Sequence, residues 1–290
     1  MASTQALKSR IRSVKNTKQI TKAMQLVAAS KMRRAQEADK ASAPYTRAAS
    51  ELLAYLATQG VTDDHPLFEK RDIKSRLLIV VSSDKGLAGA YNTNVFKTYI
   101  RELRSDDKAS VETKTLAIGR KIGQFASRLK DTEVVGAYDN LPDQPSGREL
   151  YAVLDTARDM FLAGQVDAVD VIYTEFVSSL VQTPKVHRLL PAGIDSATKV
   201  GNFVRDAKYE PSPAAVLDGV AYRLIGAQLF QALLDARASE HSMRMIAMKN
   251  ATDNASDLAD DLTLAMNKAR QGAITQELAE ISGGVEALNE

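Results

Sequence analysis

Apolar or small residues recur every three or four positions through the first segment of this chain, and that repeat constrains the fold more than any other feature. They stand at Leu7, Ile11, Val14, Thr17, Ile20, Met24, Ala28, Met32, Ala35, Ala38, Ser42, Tyr45, Ala49, Leu52 and Leu56. The fourteen steps cover 49 residues, an average of 3.5, which is the repeat of a left-handed coiled coil. Pro44 lies inside the run; it lacks an N–H and crowds the preceding turn, so a kink or short break is expected near Ala43. Gly60 and the cluster Asp63-Asp64-His65-Pro66 are expected to end the helix.

The last segment repeats the pattern over a longer span. After Pro211 and Pro213, one register runs Leu217, Leu224, Gln231, Ala238, Met245, Thr252, Ala259, Met266 and Ala273. A second, three residues on, runs Val220, Ala227, Leu234, His241, Met248, Ala255, Leu262, Ala269 and Gln276. Fourteen of the eighteen positions are apolar, and the many alanines allow close approach of two backbones. Gly272 interrupts the later part, and Gly283-Gly284 is expected to mark the far end. At 1.5 Å per residue the two helices would reach roughly 80 and 110 Å. A compact globule of this chain length has a radius of gyration of only about 19 Å. Both helices must therefore protrude, and pairing first against last, antiparallel, is the simplest way to bury both seams.

The middle of the chain has a different grammar. Arg76-Leu-Leu-Ile-Val-Val-Ser-Ser-Asp84 reads as a strand buried on both faces. Further strands are expected at Thr113–Gly119, Glu133–Tyr138, Val169–Phe176 and Val186–Leu190, with helices at Asn92–Leu103, Arg120–Leu129 and Gly147–Leu162. Alternation of strand and helix predicts an open, mainly parallel sheet. The predicted fold is α/β: a long antiparallel left-handed coiled coil of N- and C-terminal helices with an inserted Rossmann-like domain. The expected boundaries are 1–60 for the first coiled-coil helix, 73–208 for the inserted domain and 211–288 for the second helix.

Charge is unevenly placed. Nine basic residues (Lys8, Arg10, Arg12, Lys15, Lys18, Lys22, Lys31, Arg33 and Arg34) precede the first acidic one, although the net charge is only +2. Such a block faces an acidic partner or forms a solvated helix face. A basic helix for a DNA groove would belong to a parallel dimer with its own zipper; here the basic stretch itself carries the 3.5 repeat and has no stacking aromatics, so nucleic acid is not expected. With no cysteine, disulfides, thiol catalysis and thiolate metal sites are excluded. No run approaches the apolar length needed to cross a bilayer. The N-terminus is Arg/Lys-rich like a transit peptide, but its heptads continue without a boundary, so it reads as mature structure in a cytosolic setting.

Catalytic motifs are scarce. Ser82-Ser83-Asp84-Lys85-Gly86-Leu87-Ala88-Gly89 follows the first strand, where an α/β sheet places a ligand loop. A phosphate loop needs Gly-Lys followed by Ser or Thr, and a dinucleotide loop needs three glycines; this segment has neither. A nucleotide-binding α/β protein with coiled-coil arms is the alternative reading, and a tight strand-to-helix turn capped by Asp84 fits the residues better. His65, His187 and His241 are scattered, so no metal site is expected. Asp260-Asp261 falls on the outer face of the coil, where solvated charge is the ordinary role.

The two ends carry a specific resemblance. Lys15-Asn-Thr-Lys-Gln-Ile-Thr-Lys-Ala-Met24, with Val27-Ala-Ala-Ser-Lys-Met32, resembles the first helix of F-type ATP synthase γ subunits. So do Met248-Lys-Asn-Ala-Thr-Asp-Asn254 and the run from Asn267 to Ile281, with Ser83–Gly89 and Tyr209-Glu-Pro-Ser-Pro213 between. The resemblance implies a non-catalytic rotor shaft, with no cofactor. Its partners would be the α and β subunits of a hexamer, an ε subunit and a membrane ring of c subunits. The location implied is peripheral, on the cytoplasmic side of a bacterial plasma membrane.

Carried over by matching positions, Arg270, Gln271 and Thr275 correspond to residues that hydrogen-bond a loop of β, and Arg244 to a second basic contact. Met24 corresponds to a residue facing an acidic segment of β, although the heptad also permits it in the coiled-coil core. Tyr209 falls in the foot that meets the c ring and ε. Ile281, Val285 and Leu288 fall in the tip that turns in an apolar bearing. Gly272-Ala273 departs from the family's usual Ala-Ser, which would soften the shaft locally, and no redox-regulated insertion is present.

Overall fold

The computed structural model describes residues 4–63, 65–130, 132–142, 145–193, 204, 208–210 and 212–288. In chain order the elements are α1 (Thr4–Thr58), β1 (Ser75–Val81), α2 (Tyr91–Lys108), β2 (Glu112–Ile118), α3 (Arg120–Ala126) and β3 (Glu133–Tyr138). They continue with α4 (Tyr151–Leu162), β4 (Ala168–Phe176), β5 (Gln182–Leu190) and α5 (Pro213–Leu288). The chain divides into two compact units: Met1–Ala28 with Met245–Glu290, and Ala29–Arg244.

In the larger unit the sheet order is β3-β2-β1-β4-β5. The first four strands are parallel, and β5 returns antiparallel on β4. Central β1 explains its own sequence: Leu77, Leu78, Ile79 and Val80 have no exposed surface, as a strand covered on both faces requires. Leu78 and Val80 pack against Tyr91, Val95 and Tyr99 of α2 and Ile122 of α3. Leu77 and Ile79 face the other layer, formed by Val153 and Phe161 of α4, Leu229 and Leu233 of α5, and Leu53 and Leu56 of α1. β5 begins earlier than expected, at Gln182, because an edge strand that is mostly polar carries no apolar run to betray it.

Both long helices depart from the expected punctuation. α1 runs unbroken through Pro44. A proline inside a helix costs about 3 kcal/mol, and here the turns after it are held by Ala49, Leu52, Leu53 and Leu56 against the core. The hydroxyl of Ser42 also donates to the Asp39 carbonyl (2.9 Å) just before the proline. α5 opens on Pro213, whose missing N–H would be unpaired in the first turn anyway, and Ser212 Oγ accepts from the Ala215 amide (3.3 Å) as its cap. Its backbone stays helical through Gly283-Gly284, since a glycine costs a helix only about 1 kcal/mol and does not by itself end one.

The seam of α1 is corrected by the structure. Thr17 and Ile20 are exposed, and Lys18 and Thr21 turn inward instead. Further along, within the larger unit, Asp39 and Thr46 replace Ala38 and Tyr45. Strict alternation of three- and four-residue steps outweighed residue polarity, so the seam contains hydroxyls, an amine and a carboxylate. In the smaller unit the two helices lie antiparallel, with Thr21 against Thr252 (2.8 Å) and Lys18 Nζ against Ser256 Oγ (2.9 Å). Ile11, Ala28, Met248, Ala255 and Ala259 complete its interior. On α5 the expected registers are buried or half-buried from Leu217 to Ala269. Within the larger unit a second face, including Ala221, Ile225, Leu229, Ala232 and Ala236, is buried as well. That stretch covers the sheet in addition to meeting α1.

Candidate functional site

The loop after β1 sits where a ligand loop would, and its hydrogen bonds are spent on other elements. The Ser83 amide donates to Asn92 Oδ1 (3.1 Å), Asn92 Nδ2 returns a bond to Ser83 Oγ (2.8 Å), and the Ser82 amide goes to the Ile118 carbonyl (2.8 Å). Asp84 caps a helix, but not the one that follows it. Its Oδ1 accepts from the amide of Arg120, the first residue of α3 (2.9 Å), and Ser82 Oγ accepts from Ile122 (2.9 Å). Gly119 allows this approach: at φ +100°, a Cβ there would lie 2.3 Å from the Ser82 carbonyl oxygen.

Arg244 closes the loop from α5. One guanidinium nitrogen donates to the carbonyls of Lys85 and Gly86 (both 3.2 Å), and the other donates to Glu240 (2.7 Å) and lies 3.3 Å from His241 Nδ1. A cavity of about 300 Å³ remains beside them, lined by Lys31, Asp84, Arg237 and Asn140 among others. A phosphate cradle aims amides at an anion; this loop aims carbonyls at a cation. Its chemistry is that of a clasp, and it gives the nucleotide-binding reading no support.

In the smaller unit three of the sequence-predicted contact residues share one property. Arg270, Gln271 and Thr275 are exposed, and Thr275 Oγ1 only returns a bond to the Gln271 carbonyl (3.0 Å). Counting on from the Thr21–Thr252 pair at equal rise, Thr4 lies opposite about residue 270. From Arg270 to Ala279 every position is exposed. Ile274, Leu278 and Ile281 fall there at spacings of four and three, 49%, 60% and 64% exposed, so they form an apolar stripe on one side of the helix. Val285 and Leu288 continue in helix, and their side chains lie outside the described residues. Met24 is half-buried, between the core position and the exposed position that its sequence allowed. Next to it Ile20 and Val27 are 60% and 56% exposed.

Tyr209, in the larger unit, is held in place by stacking on Tyr55 (5.8 Å between centroids) and by donating its hydroxyl to the Val204 carbonyl (2.6 Å). Burial raises its pKa, and Tyr55 adds to the rise.

A family model described as ATP synthase matches residues 3–288. The ATP synthase gamma chain of Ralstonia nicotianae is 41% identical over 99% of this chain and all of its own length. This chain belongs to the ATP synthase γ-chain family. The γ chain of Stenotrophomonas maltophilia is similar to it at 40% identity, again over 99% of this chain. Among solved structures, a chain from the central stalk and c-ring of Tetrahymena thermophila mitochondrial ATP synthase matches with a TM-score of 0.63 and 25% identity. That match covers 80% of this chain and 99% of its own. A chain of the Euglena gracilis mitochondrial enzyme matches 98% of this chain with a TM-score of 0.69; at 16% identity it bears on the fold alone.

For this γ-family chain, sequence reasoning missed the exposed pair Ile20 and Val27, having spent Ile20 on the seam. The signal was available: Ile20, Met24 and Val27 form a stripe at spacings of four and three, one position off the alternation that starts at Ile11 and Val14. It also missed that Arg244 binds its own chain. No described helix is long and apolar enough to cross a membrane.

Proposed function

We propose that the chain is the central rotor shaft of an F-type ATP synthase, coupling ion-driven rotation of a c ring to ATP synthesis and hydrolysis in an α/β hexamer, and carrying no catalytic site. Residues 1–60 and 211–288 form the shaft, and 73–208 the foot that meets the c ring and ε, with Tyr209 in that contact. The complex stands on the cytoplasmic side of a bacterial plasma membrane.

The observation that carries this reading is the exposed stretch of α5. Between Arg270 and Ile281 it presents an apolar stripe, Ile274, Leu278 and Ile281, that the described residues leave exposed, and a helix end of that kind needs a sleeve from other subunits. Arg270, Gln271 and Thr275 reach the β subunit beside that stripe, and Ile281, Val285 and Leu288 turn in an apolar collar. Met24, with Ile20 and Val27, presents a second contact to β, and the exposed cations Lys8, Arg12, Lys15 and Lys22 favour an acidic surface there. Arg244 meets β only with the part of its guanidinium that Glu240 and the loop carbonyls leave available. Each turn of the shaft brings a different face to each β subunit and so biases which conformation that subunit holds.

Reconstitution tests this reading. Alone, the chain is expected to hydrolyse no ATP and to give no heat on titration with ATP. Mixed with α and β subunits it is expected to join as one copy per hexamer, and a bead on the foot is expected to turn when ATP is added. Failure to enter the hexamer, or ATP hydrolysis by the assembled hexamer while the bead on the foot stays at rest, overturns the proposal.

A further inference from the structure

One face of the larger unit has charges that its own chain leaves unanswered. The cations on the strands are paired: Arg76 with Asp106 and Asp170, Lys114 with Glu112 and Glu133, Lys185 with Glu175, and Arg188 with Asp170. On α2, by contrast, Lys97, Arg104 and Lys108 have no carboxylate partner among the described residues, and Arg101 reaches only its neighbour Glu102, at 3.4 Å. These four lie at spacings of four, three and four, which puts them in one row along the helix.

The row borders an apolar trough. Phe96 of α2 and Phe125 of α3 stack with centroids 4.3 Å apart and planes 6° from parallel. With Ile100 they floor an open cavity of about 660 Å³ whose lining includes all four cations and no acidic residue. An apolar trough beside a row of like charges matches a helix that carries acids along one edge of an apolar stripe. The row runs for about three turns, long enough to register i, i+3, i+4 and i+7 anchors of such a helix.

We propose that this groove over α2 and α3 docks an acidic amphipathic helix of another protein, with its apolar stripe on Phe96, Ile100 and Phe125 and its carboxylates on Lys97, Arg101, Arg104 and Lys108. The proposal rests on no rotary role. It is tested on the full chain, separately from assembly with a hexamer.

A fluorescein-labelled helical peptide with leucines on one stripe and glutamates beside it serves as the probe, with a lysine-for-glutamate version as control. The glutamate peptide is expected to bind, more weakly as salt is raised, and the lysine peptide is not. K97E/R104E is expected to weaken the glutamate peptide at least about tenfold and to begin binding the lysine peptide. Both side chains are exposed, so its circular dichroism melt is expected to match the parent; if it does not, K97Q/R104Q replaces it and is expected to lose the glutamate peptide. Equal binding of the two peptides, or none, overturns the proposal. So does flotation on vesicles containing about a quarter phosphatidylglycerol, abolished by K97E/R104E, with the peptide ignored; that outcome assigns the face to lipid. In the assembled complex, a photo-crosslinking residue placed at Ser105 is expected to label a segment rich in Glu and Asp. A label elsewhere, or none, counts against the groove.

Discussion

The hydroxyls of Thr21 and Thr252 meet at 2.8 Å in the buried seam between α1 and α5. Thr252 also lies 2.8 Å from the Met248 carbonyl, and Thr21 lies 3.1 Å from that of Lys18. Each hydroxyl has one proton, so one of them donates across the seam and the other accepts. Thr21→Val and Thr252→Val are each expected to lower stability by about 1 kcal/mol, the worth of one such bond. The double variant, which replaces both hydroxyls with methyls of similar shape, is expected to cost less than the two singles added. Urea unfolding followed by helical circular dichroism measures all three. Strict additivity would remove the contact from consideration.

Asp170, 2% exposed, is held between two arginines: Arg76 Nε donates to Oδ2 (2.5 Å), and Arg188 donates to both oxygens. Arg76 also reaches Asp106 (2.9 Å) and Glu102 (3.2 Å). Burial alone would depress its pKa; Asp170 and Asp106 outweigh burial and hold it above the ordinary value. Asp170→Asn removes the buried carboxylate that Arg76 and Arg188 share and is expected to cost about 3 kcal/mol. Arg76→Lys is expected to be nearly as damaging, since a single ammonium cannot face three carboxylates in different directions. Thermal melts of the two variants check both expectations.

Legibility in the sequence followed physical scale. Strands β2 to β4 were readable within a residue, whereas the run read for β1 continued to Asp84, three residues past its end at Val81; the central strands are legible because parallel strands covered on both faces must be runs such as Leu77–Val81. The long helices were readable because a 3.5-residue repeat sustained over many heptads fits a coiled-coil helix and neither a strand nor a loop. The register of α1 was not. An apolar Ile20 outbids a polar Thr21 in any sequence reading, and only the facing Thr252 shows why a hydroxyl is welcome there. Pro44 and Gly283-Gly284 misled in the same way, because local cost was set against tertiary packing that local residues do not display. Of the candidate contacts, the exposure of Arg270, Gln271 and Thr275 follows from their place past the end of the pairing. The clasp made by Arg244 depends on a loop more than 150 residues away in sequence.

Asp235 couples the larger unit to pH. Burial, then Asp39 of α1 and Glu175 of β4, push its pKa up from 3.8 to about 7, against a hydrogen bond from the Phe176 amide and the charge of Lys185 on β5. Asp39 is raised too, mainly by burial, and its Oδ1 has no hydrogen-bond partner. The folded chain therefore keeps a proton that the unfolded chain releases near the ordinary value. Stability from this group is full below about pH 4, drains as pH rises, and is gone above about pH 7. Asp235→Asn is expected to change little at pH 4 and to stabilise by about 1 kcal/mol at pH 8, once solvent screening is allowed for. Unfolding midpoints across that range report it. Equal gains at both ends would show that the carboxyl is not held protonated.

Arg270 and Gln271 offer the sharpest test of the shaft. Both are exposed on α5, so replacing them with alanine is expected to leave unfolding within about 0.5 kcal/mol of the parent. In the assembled complex the expectation reverses. A hydrogen bond involving a charged group is worth about 1.5–3 kcal/mol, and each 1.4 kcal/mol missing at the rate-limiting rotor angle slows turnover about tenfold. Arg270→Ala is therefore expected to depress ATP synthesis and hydrolysis together by about tenfold or more. Gln271→Ala is expected to do so less, because its amide is neutral. The two rates must fall in step, since a latch that both directions of rotation pass through cannot slow only one. Unchanged synthesis with a normally assembled complex would detach these residues from the β subunit and leave the apolar collar as the sole cover for the exposed stripe of α5.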